Sequence, residues 1–304
     1  MADERQSRTL LWIVIGGGAF FLFVLAVFTL VYLSLRRGEG KEAFGGFGGK
    51  IGVVDIEGVI IEPKTVVSEL KKLAADDSVK AIILHINTPG GGVAASQEIY
   101  QEVKRIHDQK KKPVVASIET VGASGGYYIS AAANKIFADR GSVVGSIGAI
   151  AEWYNYGDLI HWAKMKDVVI KTGEFKDTGI PTRDLTPAER EYLQKLLENM
   201  SAQFIQAVAE GRKLKEEEVR ALADGRVWTG EQAKPLKLID EFGDFQAAVE
   251  DTAKSVGIQG EPTLEHPEKP RRTLLDVLFG DISEYLPDRA KLMQSNVGFY
   301  YLWK

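Results

Sequence analysis

Residues 51–118 predict an α/β domain built on a parallel sheet, on three observations. First, Ile51–Ile56, Lys80–Ile86 and Pro113–Ile118 are short apolar, β-branched runs of the kind that form buried strands. Second, helical patterns separate them: Lys64–Ala75 carries Val66, Val67, Leu70 and Leu73 on one face, and Val93–Ile106 carries Ile99, Val103 and Ile106. Strand, helix, strand, helix requires parallel strands joined by right-handed crossovers. Third, two glycine turns, Asn87-Thr88-Pro89-Gly90-Gly91-Gly92 and Val121-Gly122-Ala123-Ser124-Gly125-Gly126, follow strands. They therefore sit at the C-terminal strand ends, where open α/β sheets place their sites.

In chain order, residues 1–9 are a short polar tail and residues 10–34 a predicted transmembrane anchor. Leu10 to Leu33 is apolar apart from Thr29 and small residues. At 1.5 Å per residue such a helix is about 36 Å long, enough to cross a hydrocarbon layer. Leu33-Ser34-Leu35-Arg36-Arg37 offers no small-x-small cleavage site, which favours an uncleaved anchor over a secretory signal. Arg5 and Arg8 on one side face Arg36, Arg37 and Lys41 on the other, a weak bias towards a cytoplasmic C-terminal domain. Residues 35–49 read as a Gly-rich linker and 50–261 as the globular domain. Within the latter, Thr186-Pro187-Ala188-Glu189 is a capping box that should open a long helix to about Glu210. Thr229-Gly230-Glu231-Gln232 repeats the device on a shorter helix. From Pro262 the composition turns to proline and charge, so residues 262–304 are expected to be a linker and an apolar tail, with a short amphipathic helix around Leu274–Leu278.

The chain has no cysteine and four histidines, His85, His107, His161 and His266. A cysteine nucleophile is thereby excluded, and a Ser-His pair has few candidates. There is no His-Glu-x-x-His pattern, so neither a metal nor another cofactor is implied. A net charge of −4, with no basic run interleaved with aromatics, gives no reason to expect nucleic acid. Ser124, between flexible glycines at what reads as a helix start, is presented as a nucleophile would be. Lysine is the natural base to look for.

Val121–Tyr128 with Ser124, Gly145-Ser146-Ile147-Gly148, and Gly173-Glu174-Phe175-Lys176-Asp177 come in that order after the Pro-Gly-Gly turn. Together, from about Ile51 to Gly243, they resemble the signal peptide peptidase A family in its short, single-repeat form. The resemblance implies the Clp protease/crotonase-like fold and a Ser-Lys dyad, with Ser124 as nucleophile, Lys176 as general base and Ser146 as the auxiliary serine that hydrogen-bonds the lysine. It assigns the oxyanion hole to the N–H groups of Gly125 and Gly91, with Gly90 the nearest competitor. It implies a serine endopeptidase held in the cell membrane, catalytic domain extracytoplasmic, against the weak charge bias. Its substrates would be apolar peptides, remnants of signal peptides after their release. With one repeat, the resemblance also implies a ring or dome of identical subunits, an octamer, in which Lys176 of one subunit serves Ser124 of its neighbour. One departure is Lys237, which stands where a glycine is usual before Leu238-Ile239-Asp240.

Free lysine titrates near 10.4. Making it a base near neutral pH costs roughly 3–4 kcal/mol, which desolvation or a neighbouring cation must supply. The carboxylate of Asp177 on the Lys176 amine would work against this, so it is expected to point away. His85, beside the Pro-Gly-Gly turn, reads as a structural histidine. Three alternatives stay open. A Clp-like Ser-His-Asp triad needs a histidine near Ala149, whereas His161 comes twelve residues later. A crotonase-type acyl-CoA enzyme and a catalytically silent membrane scaffold are the others. The tail Val297–Lys304 is expected to pack on its own domain or a neighbouring subunit, or, more sharply, to lie in the substrate groove.

Overall fold

The structure, a computed structural model, describes residues 49–267 and 298–303. The expected anchor, most of the linker before the domain and the helix expected around Leu274 lie outside the described residues. Among the described residues no helix is long and apolar enough to cross a membrane.

The order of elements is β1 (Lys50–Glu57), α1 (Lys64–Ala75), β2 (Val79–Thr88), β3 (Gly90–Gly92), α2 (Val93–Arg105), β4 (Val114–Ala123), α3 (Gly125–Ser130), β5 (Lys135–Ala138), β6 (Val143–Gly145) and β7 (Ile150–Glu152). Then follow α4 (Gly157–Trp162), α5 (Pro187–Arg212), α6 (Glu216–Arg220), β8 (Val227–Thr229), α7 (Gly230–Ala233), β9 (Glu241–Phe242), α8 (Phe245–Ser255), β10 (Thr263–Glu265) and β11 (Gly298–Leu302). The main sheet runs β10-β1-β2-β4-β5-β9, all parallel, with β6 parallel to the end of β4 and β8 antiparallel to β6. This is the mainly parallel α/β architecture expected. The sheet does not end at residue 261, because Thr263–Glu265 pairs with the first residues of β1.

Alternation along the strands explains the layering. Val54, Ile82, Leu84 and Ile86 face one core with α1, α2, α3 and α5 residues, while Ile51, Ile83, Val115 and Phe137 face α8 through Ala248, Val249 and Ala253. Strands buried on both faces read as unbroken apolar runs, which is why three of them were visible in the sequence. The capping boxes form as expected: Glu189 N–H donates to Thr186 Oγ1 at 3.2 Å and Thr186 N–H to Glu189 Oε2 at 2.8 Å. Gln232 and Thr229 exchange the same pair at 3.3 and 3.1 Å. Proline at the first helical position of α5 adds a preset φ.

The far end of α5 is clamped to the sheet. Arg212 donates to both oxygens of Asp240 at 2.9 and 2.7 Å and through Nε to Lys237 O at 3.0 Å. Asp240 Oδ2 also accepts from Ile136 N–H in β5 at 2.8 Å. Lys237 sits in this turn at φ 59°. A non-glycine residue there carries roughly 1–2 kcal/mol of strain. The Arg212 side chain is only 5% exposed. Asp240→Ala therefore strands a buried guanidinium and should lower the unfolding free energy by about 3 kcal/mol, read from urea denaturation.

Candidate active site

β4 pairs with β5 along residues 115–118 and with β6 along 121–123, so the strand changes neighbour just before Ser124. Ser124 follows at φ 51°, ψ −116°, heading α3. That conformation mirrors the extended region and is natural only to glycine, at a cost of about 1–3 kcal/mol for a serine. The surroundings hold it there: Ser124 N–H donates to Gly145 O at 2.7 Å, Tyr128 N–H donates to Ser124 O at 2.8 Å, and every residue of α3 is buried. Gly145 thereby joins the two serines, since the next residue is Ser146, also at positive φ (52°), whose N–H donates to Arg226 O at 2.9 Å. Both serines line one groove of about 590 Å³.

A complete accounting of the Pro-Gly-Gly turn separates its glycines. Gly90 N–H donates to Thr88 Oγ1 at 3.0 Å, and Gly92 N–H donates to Ile60 O at 2.8 Å. The Gly91 N–H, between them, points the other way. The triplet is a short strand, β3, rather than the plain turn expected. A Cβ built on Gly125 would lie 3.1 Å from Gly91 N and 3.1 Å from Tyr301 O, and one on Gly90 would lie 2.6 Å from Gly125 N and 2.1 Å from Tyr301 O. The Gly91 and Gly125 amides and one carbonyl oxygen thus share a spot with no room for a side chain. Of the two candidates from this turn, the structure puts Gly91 there and commits Gly90 to Thr88.

That carbonyl belongs to the chain's own tail. β11 lies antiparallel between β3 and β7, with Tyr301 opposite Gly91 and Tyr300 opposite Ile150. Trp303 N–H donates to Pro89 O at 2.8 Å. Antiparallel hydrogen-bonded pairs recur every second residue, which turns the Gly91 N–H towards the Tyr301 carbonyl. The Tyr301 ring is fully buried, 5.2 Å from Tyr128 and 4.7 Å from Phe204 between centroids, and its hydroxyl donates to Met200 O at 2.7 Å. The tail packs on its own domain through the Tyr301 side chain, and its Leu302 and Trp303 line the groove that holds both serines.

The opposite wall comes from α5, through Gln194, Leu197, Glu198 and Ser201, and from Ala223, Asp224 and Gly225. These were missed from sequence. The spacing of the four α5 residues places them on one helical face, a signal that could have found them, although polar residues there look like a solvated surface.

Lys176 stands in the turn after Gly173, exposed, and does not line the groove; its own N–H reaches Gly173 O at 3.4 Å. Within a single chain the structure does not bring it to Ser124. Asp177 is engaged elsewhere, by Lys171 and by Arg183 at 3.0 Å, and those cations hold its carboxyl below the ordinary range. His161, in α4, is exposed and outside the groove. His85 Nδ1 lies 3.3 Å from Asp55 Oδ1 and its ring packs on Phe245, a structural setting. Neither supplies a triad.

A strained serine at a strand end, two convergent amides and a groove edged by two strands are the layout of a serine hydrolase with a Clp protease-like fold. The Clp protease profile matches residues 60–140, and that of peptidase family S49 matches residues 106–259, half of the chain. A Synechocystis sp. protein designated a protease is 35% identical over 82% of this chain and 88% of its own length. The chain belongs to peptidase family S49. A protease-designated protein of Methanocaldococcus jannaschii is 38% identical over 65% of this chain, and one of Enterococcus faecium designated signal peptide peptidase SppA is 34% identical over 66%. The chain spans 63% and 58% of the length of those two relatives.

Proposed function

We propose that the protein is a membrane-anchored serine endopeptidase that cleaves extended apolar peptides with a Ser124–Lys176 dyad. The observation that carries this reading is β11, a peptide of the chain itself held antiparallel to both rims of the groove, with the Tyr301 carbonyl at the Gly91 and Gly125 amides. Strand addition of this kind takes backbone affinity from main-chain hydrogen bonds and leaves selectivity to side-chain pockets. In the reaction Ser124 Oγ attacks the scissile carbonyl, the two amides take the oxyanion, and Lys176, oriented by Ser146, removes the hydroxyl proton and returns it to the leaving amine; a water deprotonated by Lys176 then hydrolyses the acyl-serine, releasing the acid and restoring the Ser124 hydroxyl. Signal-peptide remnants are the proposed substrates. The relative's designation and the apolar segment 10–34, which would place the enzyme beside them, support that choice. An extracytoplasmic catalytic domain is part of the same proposal.

Lys176 needs desolvation and a route to a serine, and a neighbouring subunit supplies both. Trp162, Val168 and Ile170 are 81, 80 and 97% exposed, an apolar surface on the same segment that carries Lys176. We place Lys176 in the groove of the next subunit of a closed ring, eight being the proposed number. In hydrolysis of a fluorogenic apolar peptide by the domain from Gly46, Lys176→Ala is expected to abolish turnover. Mixing inactive S124A and K176A proteins under proven subunit exchange should restore activity; no recovery would mean that the dyad lies within one chain.

A further inference from the structure

Lys176 is carried on a turn whose two flanks are both fastened to the start of α5. On one side Phe175 packs on Tyr192, ring centroids 5.3 Å apart. On the other, Asp177 pairs with Lys171 and with Arg183, and Arg183 grips Glu189 through two bonds of 2.9 and 2.6 Å. The Glu189 side chain is 3% exposed, caps α5 through Thr186 and accepts from Thr178 Oγ1 at 3.3 Å. Lys171 Nζ also donates to Glu174 O at 2.7 Å. The charged groups that meet at Asp177 are therefore Lys171 and Arg183, with Glu189 behind Arg183 on α5. Its immediate sequence neighbour is Lys176.

An anion within about 4–6 Å of a lysine favours the charged amine and raises its pKa by roughly 1–3. Asp177 is the neighbour of Lys176 in the chain, and in the groove proposed for Lys176 the lining carboxylates are Glu198 and Asp224. Each Asp177 oxygen is instead engaged by a cation, Oδ1 by Lys171 and Oδ2 by Arg183.

We propose that Lys171 and Arg183 are positioning residues that keep the Asp177 carboxylate off the Lys176 amine, so that Lys176 can give up its proton. This rests on the reading of Lys176 as the general base. Arg183 has a second duty, because removing it strands the buried Glu189 carboxylate and endangers the fold. Lys171 carries no such duty, which makes Lys171→Gln the informative variant.

The experiment is kcat/KM against pH for the wild type, K171Q, D177N, K171Q/D177N and K176A, using the full chain in detergent and a fluorogenic apolar peptide. In K171Q the acid limb should move to higher pH by about one or more, with the full rate regained above it, so that below the limb each pH step of one loses about tenfold. Relative to D177N, the double variant should show no displacement. A limb at the wild-type position, a displacement that persists without Asp177, or a uniform loss at every pH would overturn the proposal. K176A with wild-type activity would overturn the base assignment and this inference with it. Inactive K176A beside an unmoved K171Q limb would overturn this inference alone.

Discussion

Replacing Ser124 with alanine will abolish peptide hydrolysis, a loss of about 10⁴-fold or more, without changing the melting temperature appreciably. Alanine suffers the same strain as serine at φ 51°, ψ −116°. Ser124→Gly is equally inactive but should be more stable. Glycine adopts that backbone freely, and relief of about 1 kcal/mol corresponds to a rise of roughly 2–4 °C in a domain of this size. The pair of variants separates two properties that one position combines. Hydrolysis surviving in either would remove Ser124 from the chemistry; equal melting temperatures for glycine and alanine would mean that the elbow stores no strain. Calorimetry alongside the peptide assay reads both.

The second large effect is expected from deleting Val297–Lys304. A tethered competitor is present at a fixed effective concentration, however little peptide is added. Removing it should lower KM for added peptide several-fold while kcat stays the same, since β11 touches the binding edges and leaves Ser124 in place. Stability should fall in the same protein. Tyr301 is fully buried against Tyr128 and Phe204, and truncating a core aromatic typically costs 3–5 kcal/mol. Tyr301→Ala should reproduce part of both effects. A tail that only stabilises the domain would give the loss of melting temperature with KM unmoved.

How much of this was legible depended on how local each cause is. β1, β2 and the start of β4 announced themselves because a strand buried on both faces must be apolar throughout. α1 was legible at both ends and α5 at its start, because amphipathic spacing and a capping box are written within a dozen residues. The short strands β6 to β10 were not, having two or three residues each and owing their form to a neighbour's edge. At the site, Ser124, Ser146 and the two glycine turns could be marked from motif order. Nothing local distinguished Lys176 from Lys171, although the structure pairs Lys171 with Asp177.

By itself the sequence determined the residue types available for chemistry, the parallel α/β class and the placement of both glycine turns after strands, since composition, periodicity and turn residues act over a few positions. Only the tertiary structure decided which glycine amide meets the Tyr301 carbonyl, because that turns on Thr88 and Ile60 claiming the other two. It alone decided that the tail pairs with β3 and β7 and lines the groove, a pairing across roughly 150 to 210 residues of chain that follows from two strand edges left open at one spacing. Partners so far apart in sequence leave no periodicity to read, and hydrogen-bond accounting is settled only when every donor and acceptor has been placed.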